Sequence, residues 1–254
     1  MQEIEVAKSA CLEAGKIALK YFRKDFAVRL KGPGDVVTQA DIECEREIKK
    51  VISSKYPSHS FLGEEEGKVG SSDSLWVIDP IDGTTNFVHG VDQFCHSVAL
   101  VEGGEIICGA VFNPVQKKLY TAQRGSGAFL NGKKIYVSRV SRIEDSLLVS
   151  GFPYDAAMQK KTFASTAALR GLCQDIRRFG SAALDLCYIA EGACDAFFEY
   201  VLRPWDVAAG ILIVREAGGE VTDINGKTAR IDSGHFLASN ALLHSEVLKY
   251  LERV

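Results

Sequence analysis

Residues Trp76 to Phe87 read WVIDPIDGTTNF, an apolar run that ends in Asp79 and is followed at once by breakers. Pro80 has no N–H to give a neighbouring strand and is expected to terminate the ladder, while Asp82-Gly83 makes a turn into a segment that can start a helix. Two carboxylates three positions apart across a bend can converge on one point. Beyond them the backbone N–H groups of Gly83, Thr84 and Thr85 would face outward from a helix start, which suits a phosphate. An ordinary Asp-Gly turn capped by Thr84 is the plain alternative, although Asp-Pro-x-Asp-Gly-Thr after a strand is far more restrictive than a lone Asp-Gly.

Two further segments supply more oxygen. In FLGEEEGK, Phe61 and Leu62 can form a short strand that delivers Glu64 to the edge where Asp79 ends, giving hard divalent cations a further oxygen donor. Such a charge run is by default a solvated loop, and Glu66 reads as only that. In RPWDVAAG, Asp206 is expected at the N-cap of a helix, and capping alone would justify it. Trp205 beside it and Glu199 at the end of DAFFEY suggest an aromatic-walled polar site. Glu64, Asp79, Asp82 and Asp206 sum to −4, which two Mg²⁺ ions would cancel; without them the chain's net charge of −3 becomes +1.

The elements that must position these groups follow from periodicity. Helical spacing runs over residues 4 to 22 and again from Asp41 through Ile52, the second run opened by a capping-box pattern, Thr38-x-x-Asp41. KGPGD, residues 31 to 35, reads as a loop between the two helices. Short β-type runs at 75–79, 94–102, 106–113 and 135–137, joined by Gly103-Gly104 and Asn131-Gly132, predict an antiparallel sheet in the middle third. The last part alternates: strands at 146–151, 195–200, 219–224 and 235–240, and helices near 160–173, 181–191, 206–217 and 244–253. Layered helices and sheets are the consequence.

Composition narrows the partners. The chain has 254 residues, 46% hydrophobic and 25% charged, which is enough for a substantial core in one large domain or two small ones. With 30 basic against 33 acidic residues there is no excess positive charge for nucleic acid or an anionic membrane, and no apolar stretch is long enough to span a bilayer. The 7 cysteines are odd in number and never spaced Cys-x-x-Cys, so reduced thiols of a cytoplasmic protein are expected, and the N-terminus lacks a signal or transit pattern. Competing phosphate motifs fail: Gly127 to Lys134 nearly spells a P-loop but ends in Lys where a hydroxyl belongs, and no Cys is followed six positions on by Arg. The 5 histidines form no HExxH and read as packing or surface residues.

GEE at 63–65, DPIDGTTNF at 79–87 and WDVAAG at 205–210, in this order and spacing, resemble the signatures of the inositol monophosphatase family of Mg²⁺-dependent, lithium-sensitive phosphatases. The resemblance spans nearly the whole chain. It implies a mixed α+β fold, a layered αβαβα sandwich, in one catalytic domain over 1–254 with a metal- and phosphate-binding lobe near 1–145 and a substrate lobe near 146–254. It implies a homodimer, a small phosphate ester as partner, and two to three Mg²⁺ per site with Mn²⁺ as a substitute. By position, Glu64, Asp79 and the carbonyl of Ile81 look like ligands of one metal, and Asp79, Asp82 and Asp206 like those of a second. Glu65 with Glu64 borders a third. Asp41 resembles the carboxylate that bonds Thr84 to orient the attacking water, with helix capping as its alternative. Ala182 and Glu199 look like polyol contacts alongside Asp82 and Asp206, and Lys31 like a mobile-loop lysine. The implied reaction is hydrolysis of myo-inositol monophosphate by direct in-line attack of a metal-activated water, without a phosphoenzyme. Fructose 1,6-bisphosphate is the main rival substrate, with Arg170, Arg177, Arg178, Arg203 and Lys31 as candidates for a second phosphate; histidinol phosphate and 3′-phosphonucleotides follow. A non-catalytic metal-binding protein on the same scaffold is the reading from another class.

Overall fold

The structure, a computed structural model, describes residues 2–24, 28–32 and 35–253. Helix α1 (Glu3–Tyr21) has Glu3 and Glu5 in its first turn and Lys20 in its last, the charge order its dipole favours. Its buried stripe is made of small side chains, Ala7, Ala10, Cys11, Ala14 and Ala18, so the helix can lie close to its neighbours. Strands β1 (Val28–Gly32) and β2 (Asp35–Thr38) form an antiparallel hairpin, so the segment read as a plain loop instead spans two strand ends; its residues 33 and 34 lie outside the described residues. Helix α2 (Gln39–Ser53) begins at Thr38 with the expected capping box.

An 8-stranded sheet follows, built from β3 (Ser60–Gly63), β4 (Gly67–Val69), β5 (Ser74–Asp82), β6 (Cys95–Glu102), β7 (Glu105–Asn113), β8 (Lys118–Gln123), β9 (Gly127–Leu130) and β10 (Lys133–Ile135), with the short helix α3 (Thr84–Val88) after β5. Its order is β10-β9-β8-β7-β6-β5-β3-β4, antiparallel except where β3 runs parallel to β5. The run expected as a strand at 135–137 is displaced: β10 ends at Ile135, after a hairpin at Asn131-Gly132 that pairs Lys133 with Leu130. A 5-stranded sheet of β11 (Leu147–Ser150), β12 (Asp175–Arg177), β13 (Ala196–Tyr200), β14 (Glu220–Thr222) and β15 (His235–Ser239) closes the chain, with helices α4 (Ala156–Arg170), α5 (Ala182–Ala190), α6 (Pro204–Glu216) and α7 (His244–Leu251).

The layers stack as αβαβα. Helices α1 and α2 cover one face of the large sheet, α5 and α6 fill the space between the sheets, and α4 and α7 cover the far face of the small one. The sequence differs with the layer. All 9 residues of α5 are buried and α6 is buried from Val207 through Val214, because a helix held between two sheets has no solvent face. Helix α2, with one face to water, keeps a polar side. Among the described residues, no helix is long and apolar enough to cross a membrane, and all seven cysteines are buried free thiols.

Strand β5 is central, flanked by β3 and β6, and is buried on both faces from Trp76 to Ile81. Pro80 does not end it, contrary to the expectation from sequence. Asp79 pairs with Ser97 and Asp82 with Cys95, so residues 80 and 81 together face His96 alone. The ladder skips the residue that has no N–H and resumes, a β-bulge that turns the two carboxylates at a site rim. His96 donates from Nδ1 to the Pro80 carbonyl and is fully buried, and burial lowers its pKa to about 4, so the imidazole is neutral.

Candidate metal and phosphate site

Four element ends meet at one cleft of about 700 Å³. The C-terminal end of β3 delivers Glu64, whose backbone N–H bonds the Ile78 carbonyl at 3.2 Å and so continues the parallel β3–β5 pairing by one step. The end of β5 delivers Asp79 and Asp82. The first turn of α6 delivers Asp206, and the end of β13 delivers Glu199. All five line the cleft, together with Ile81, Gly83, Thr84, Thr85 and Ala182. Of the remaining candidates, Glu65 is not in the cleft lining, and the side chain of Lys31, in β1, lies outside what is described.

Asp206 is not the N-cap residue. Arg203 caps α6, Pro204 takes the first helical position, and Asp206 sits at the third, where its Oδ2 accepts the Arg203 N–H at 2.7 Å. That is the return half of a capping box, so one residue ties the helix start and lines the cleft at once. Ser97, the strand partner of Asp79, donates to the Trp205 carbonyl at 3.4 Å, which pins the start of α6 beside the end of β5.

Asp82 is held by the start of α5. Its Oδ2 accepts from Ser181 Oγ at 2.6 Å and from the Ala183 N–H at 2.7 Å. Burial raises its pKa, and these donors with the Ala182 N–H pull it back. Asp79 is different. It is almost fully buried, its Oδ1 has no hydrogen-bond partner, and its pKa is driven well above the carboxylate range by burial first, then by Glu64, Asp82, Asp206 and Asp41. Asp206 is raised likewise, by burial and then Asp82. Like-charged oxygens crowded at low dielectric are relieved by taking up protons or a metal. Among the described residues, no three acidic, His or Cys side chains are already closed to a ready-made metal shell. The donor set is nonetheless all oxygen, which suits Mg²⁺, and the orphaned Asp79 oxygen is what a cation would satisfy.

Asp41 makes the contacts that both readings of it ask for, the helix cap and the bond to Thr84. Its Oδ2 accepts the Thr38 N–H at 2.8 Å and the Thr38 hydroxyl at 2.6 Å, closing the helix cap, while its Oδ1 lies 3.3 Å from Thr84 Oγ1. The Thr84 hydroxyl has one hydrogen for two acceptors, Asp41 and the Ile81 carbonyl at 3.0 Å. Gly83 precedes α3 with φ +91°, and a Cβ there would meet the Gln93 carbonyl at 2.8 Å, so only glycine brings this backbone to the cleft.

In the same cleft, burial pushes the Glu199 carboxyl up to about 8, Asp82 adds to the rise and Arg178 offsets it. Of the arginines considered for a second phosphate, Arg178 and Arg203 line the cleft; Arg170 and Arg177 are engaged at Asp175 instead. Sequence reasoning missed the aromatic mouth, Phe152 and Tyr154, and the buried Asp185 on α5, whose Oδ1 has no partner and whose pKa burial and Glu199 raise well above normal. An acid on a helix that is otherwise apolar all round is the signal that would have found Asp185.

A sequence profile described as the inositol monophosphatase family matches residues 1–254. The chain belongs to the inositol monophosphatase family. It is 39% identical to the inositol-1-monophosphatase of Mesorhizobium japonicum, over 98% of this chain and 96% of the relative. It is 40% identical to a protein of Pasteurella multocida named Nus factor SuhB, over 98% and 95%. Among solved structures, the Thermotoga maritima IMPase superposes with a TM-score of 0.93 at 37% identity, covering 100% of this chain and 98% of that one. A structure described as IMPase/NADP phosphatase complexed with Mg²⁺ and phosphate superposes at 0.82 with 26% identity, covering 94% and 90%. The αβαβα architecture is therefore that of the family, and Mg²⁺ is a metal the family binds.

Proposed function

We propose that this family member is a Mg²⁺-dependent phosphomonoesterase that hydrolyses myo-inositol monophosphate or a related polyol phosphate. The observation that carries the reading is the buried, unpartnered Oδ1 of Asp79 among acidic side chains that line one cleft. In this reading Glu64, Asp79, the Ile81 carbonyl, Asp82 and Asp206 hold two Mg²⁺, or Mn²⁺ in its place, and Glu64 borders a third, with Glu65, outside the cleft lining, beside it in the same turn. When bound, the ions supply charge neutralisation and an acidified water.

The chain's own groups do the rest. With its hydrogen turned to Asp41, Thr84 Oγ1 offers lone pairs to the cleft and orients the water that attacks phosphorus. The N–H groups of Gly83, Thr84 and Thr85 donate to the phosphate oxygens as charge redistributes in line. Ala182 and Glu199 contact the polyol, Asp82 and Asp206 border it, and Lys31 is a further substrate contact by resemblance to the family. A metal- and phosphate-binding lobe near 1–145 and a substrate lobe near 146–254 make up one catalytic domain, and two copies of the chain form a homodimer. The name Nus factor concerns the Pasteurella relative; the reading for this chain rests on its cleft. Arg178 and Arg203 on the cleft wall favour a second substrate, fructose 1,6-bisphosphate, whose other phosphate they would pair.

The test is Mg²⁺-dependent phosphate release from inositol 1-phosphate, fructose 1,6-bisphosphate and an adenosine 3′-phosphate. Fastest release from inositol 1-phosphate is expected. Faster release from the bisphosphate would move the assignment to the second reading, and silence across the panel with metal bound would favour a non-catalytic protein.

A further inference from the structure

The third glutamate of the GEEEG turn, and a buried glutamate one helix away, have no part in the cleft. Glu45 lies on the buried face of α2 in register with Asp41, Cys44, Ile48 and Ile52, and it is 0% exposed. A carboxylate there must be satisfied from within. It is: Oε2 accepts the Glu65 N–H at 2.8 Å, Oε1 accepts the Glu66 N–H at 3.1 Å, and Lys49 Nζ sits 2.6 Å from Oε1. Lys49, whose side chain is 13% exposed, reaches on to Glu66 at 3.0 Å, and Arg46 stands 3.6 Å from the same carboxylate. The carboxyl of Glu45 also occupies the space above Gly63, where a Cβ would come within 2.3 Å of Oε1, so the glycine of GEE admits this side chain.

These contacts fix both sides of Glu64. Its own N–H is tied to Ile78 at the end of β5, one residue before Asp79, and the next two N–H groups are tied to Glu45. The turn that carries Glu64 and Glu65 is thus clamped between the central strand and α2.

We propose that Glu45 is a positioning residue for the metal site, with Lys49 and Glu66 as its brace, holding the Glu64–Glu65 turn at the height where Glu64 meets Asp79. The inference rests on the reading that these carboxylates take up divalent cations. A preformed donor set binds its ion more tightly than one that must be gathered, so the clamp acts on metal affinity and little on the reaction once metal is bound.

The experiment measures Mn²⁺ binding by calorimetry in the full chain, together with the Mg²⁺ dependence of phosphate release from inositol 1-phosphate. Wild type and Asp79→Asn come first; if wild type binds no Mn²⁺, the functional reading fails and not merely this one. With that established, Glu45→Gln is expected to weaken Mn²⁺ binding about tenfold, to raise the Mg²⁺ concentration for half-maximal rate by the same factor, and to leave kcat at saturating Mg²⁺ within about twofold. A Glu45→Gln protein that is folded and binds Mn²⁺ as wild type does, whether or not it melts earlier, overturns the proposal. If that variant does not fold, Glu66→Gln, which alters only the exposed end of the brace, decides: a two- to threefold loss of Mn²⁺ affinity supports the clamp and an unchanged affinity overturns it.

Discussion

Two buried acidic clusters lie on either side of the Glu64–Glu65 turn and are treated in opposite ways. Around Glu45, a buried carboxylate meets two backbone N–H groups and a lysine, and the charge is settled inside the protein. Around Asp79, acidic side chains accumulate, one oxygen is left without a partner, and burial with the neighbouring carboxylates drives its pKa up. Burial alone therefore does not mark function. The distinguishing feature is a buried charge whose compensation has been left out, because that costs stability unless something from outside supplies it.

The contrast can be broken most sharply at Asp79. Asp79→Asn is expected to lower kcat by more than the roughly 100-fold that loss of an outer partner of a metal ligand costs, while the metal-free protein folds as well as wild type because a repelled charge is gone. Near-normal turnover at saturating Mg²⁺ would refute the assignment. Next in size is Thr84→Val, which removes the hydroxyl between Asp41 and the cleft: a loss of about 10²-fold in kcat is expected, with Thr84→Ser retaining most of the rate. Steady-state assays of the pair separate the hydroxyl from the methyl.

A third prediction concerns pH. Asp79, Asp82 and Asp206 have folded pKa values above their unfolded ones, so between about pH 4 and those raised values the folded state binds more protons than the unfolded state. Stability of the metal-free protein should therefore fall as pH rises through that window, with Glu199 adding to the loss up to about 8. In the proposed reading Mg²⁺ takes the place of those protons. Melting curves in EDTA and in Mg²⁺ from pH 5 to 8 should show a stabilisation by metal that grows with pH; a constant difference would contradict the account. The smallest effect is expected at Ser181, which caps α5 and donates to Asp82. Ser181→Ala should cost about 1 kcal/mol of stability, read from denaturant midpoints, and raise KM for inositol 1-phosphate more than it lowers kcat.

Much of the site is legible in the order of the amino acids alone. Residue types and spacing place Glu64, Asp79, Asp82 and Asp206 in one site, and they line one cleft, because strand ends and helix starts in a layered fold converge at the same edge. The capping box at Thr38 stands where expected, and the strand expected at Phe61 and Leu62 is found as Ser60–Gly63. What the sequence hides is tertiary. Pro80 ends ladders in general, but here a bulge absorbs the missing donor and lets β5 run on to Asp82. Asp206 as the first helical signal misleads by three residues because Arg203 caps α6 and Pro204 starts it. Glu45 looks like one more charge on a polar helix; only its place on the buried stripe of α2, four residues before Lys49, betrays it.

The central claim is that these separated carboxylates form one cation site, and anomalous diffraction from crystals soaked in Mn²⁺ tests it most directly. Manganese peaks are predicted in the cleft, bounded by Glu64, Asp79, the Ile81 carbonyl, Asp82 and Asp206. A well-ordered cleft with manganese absent at saturating concentration, or bound only elsewhere on the protein, would contradict the account.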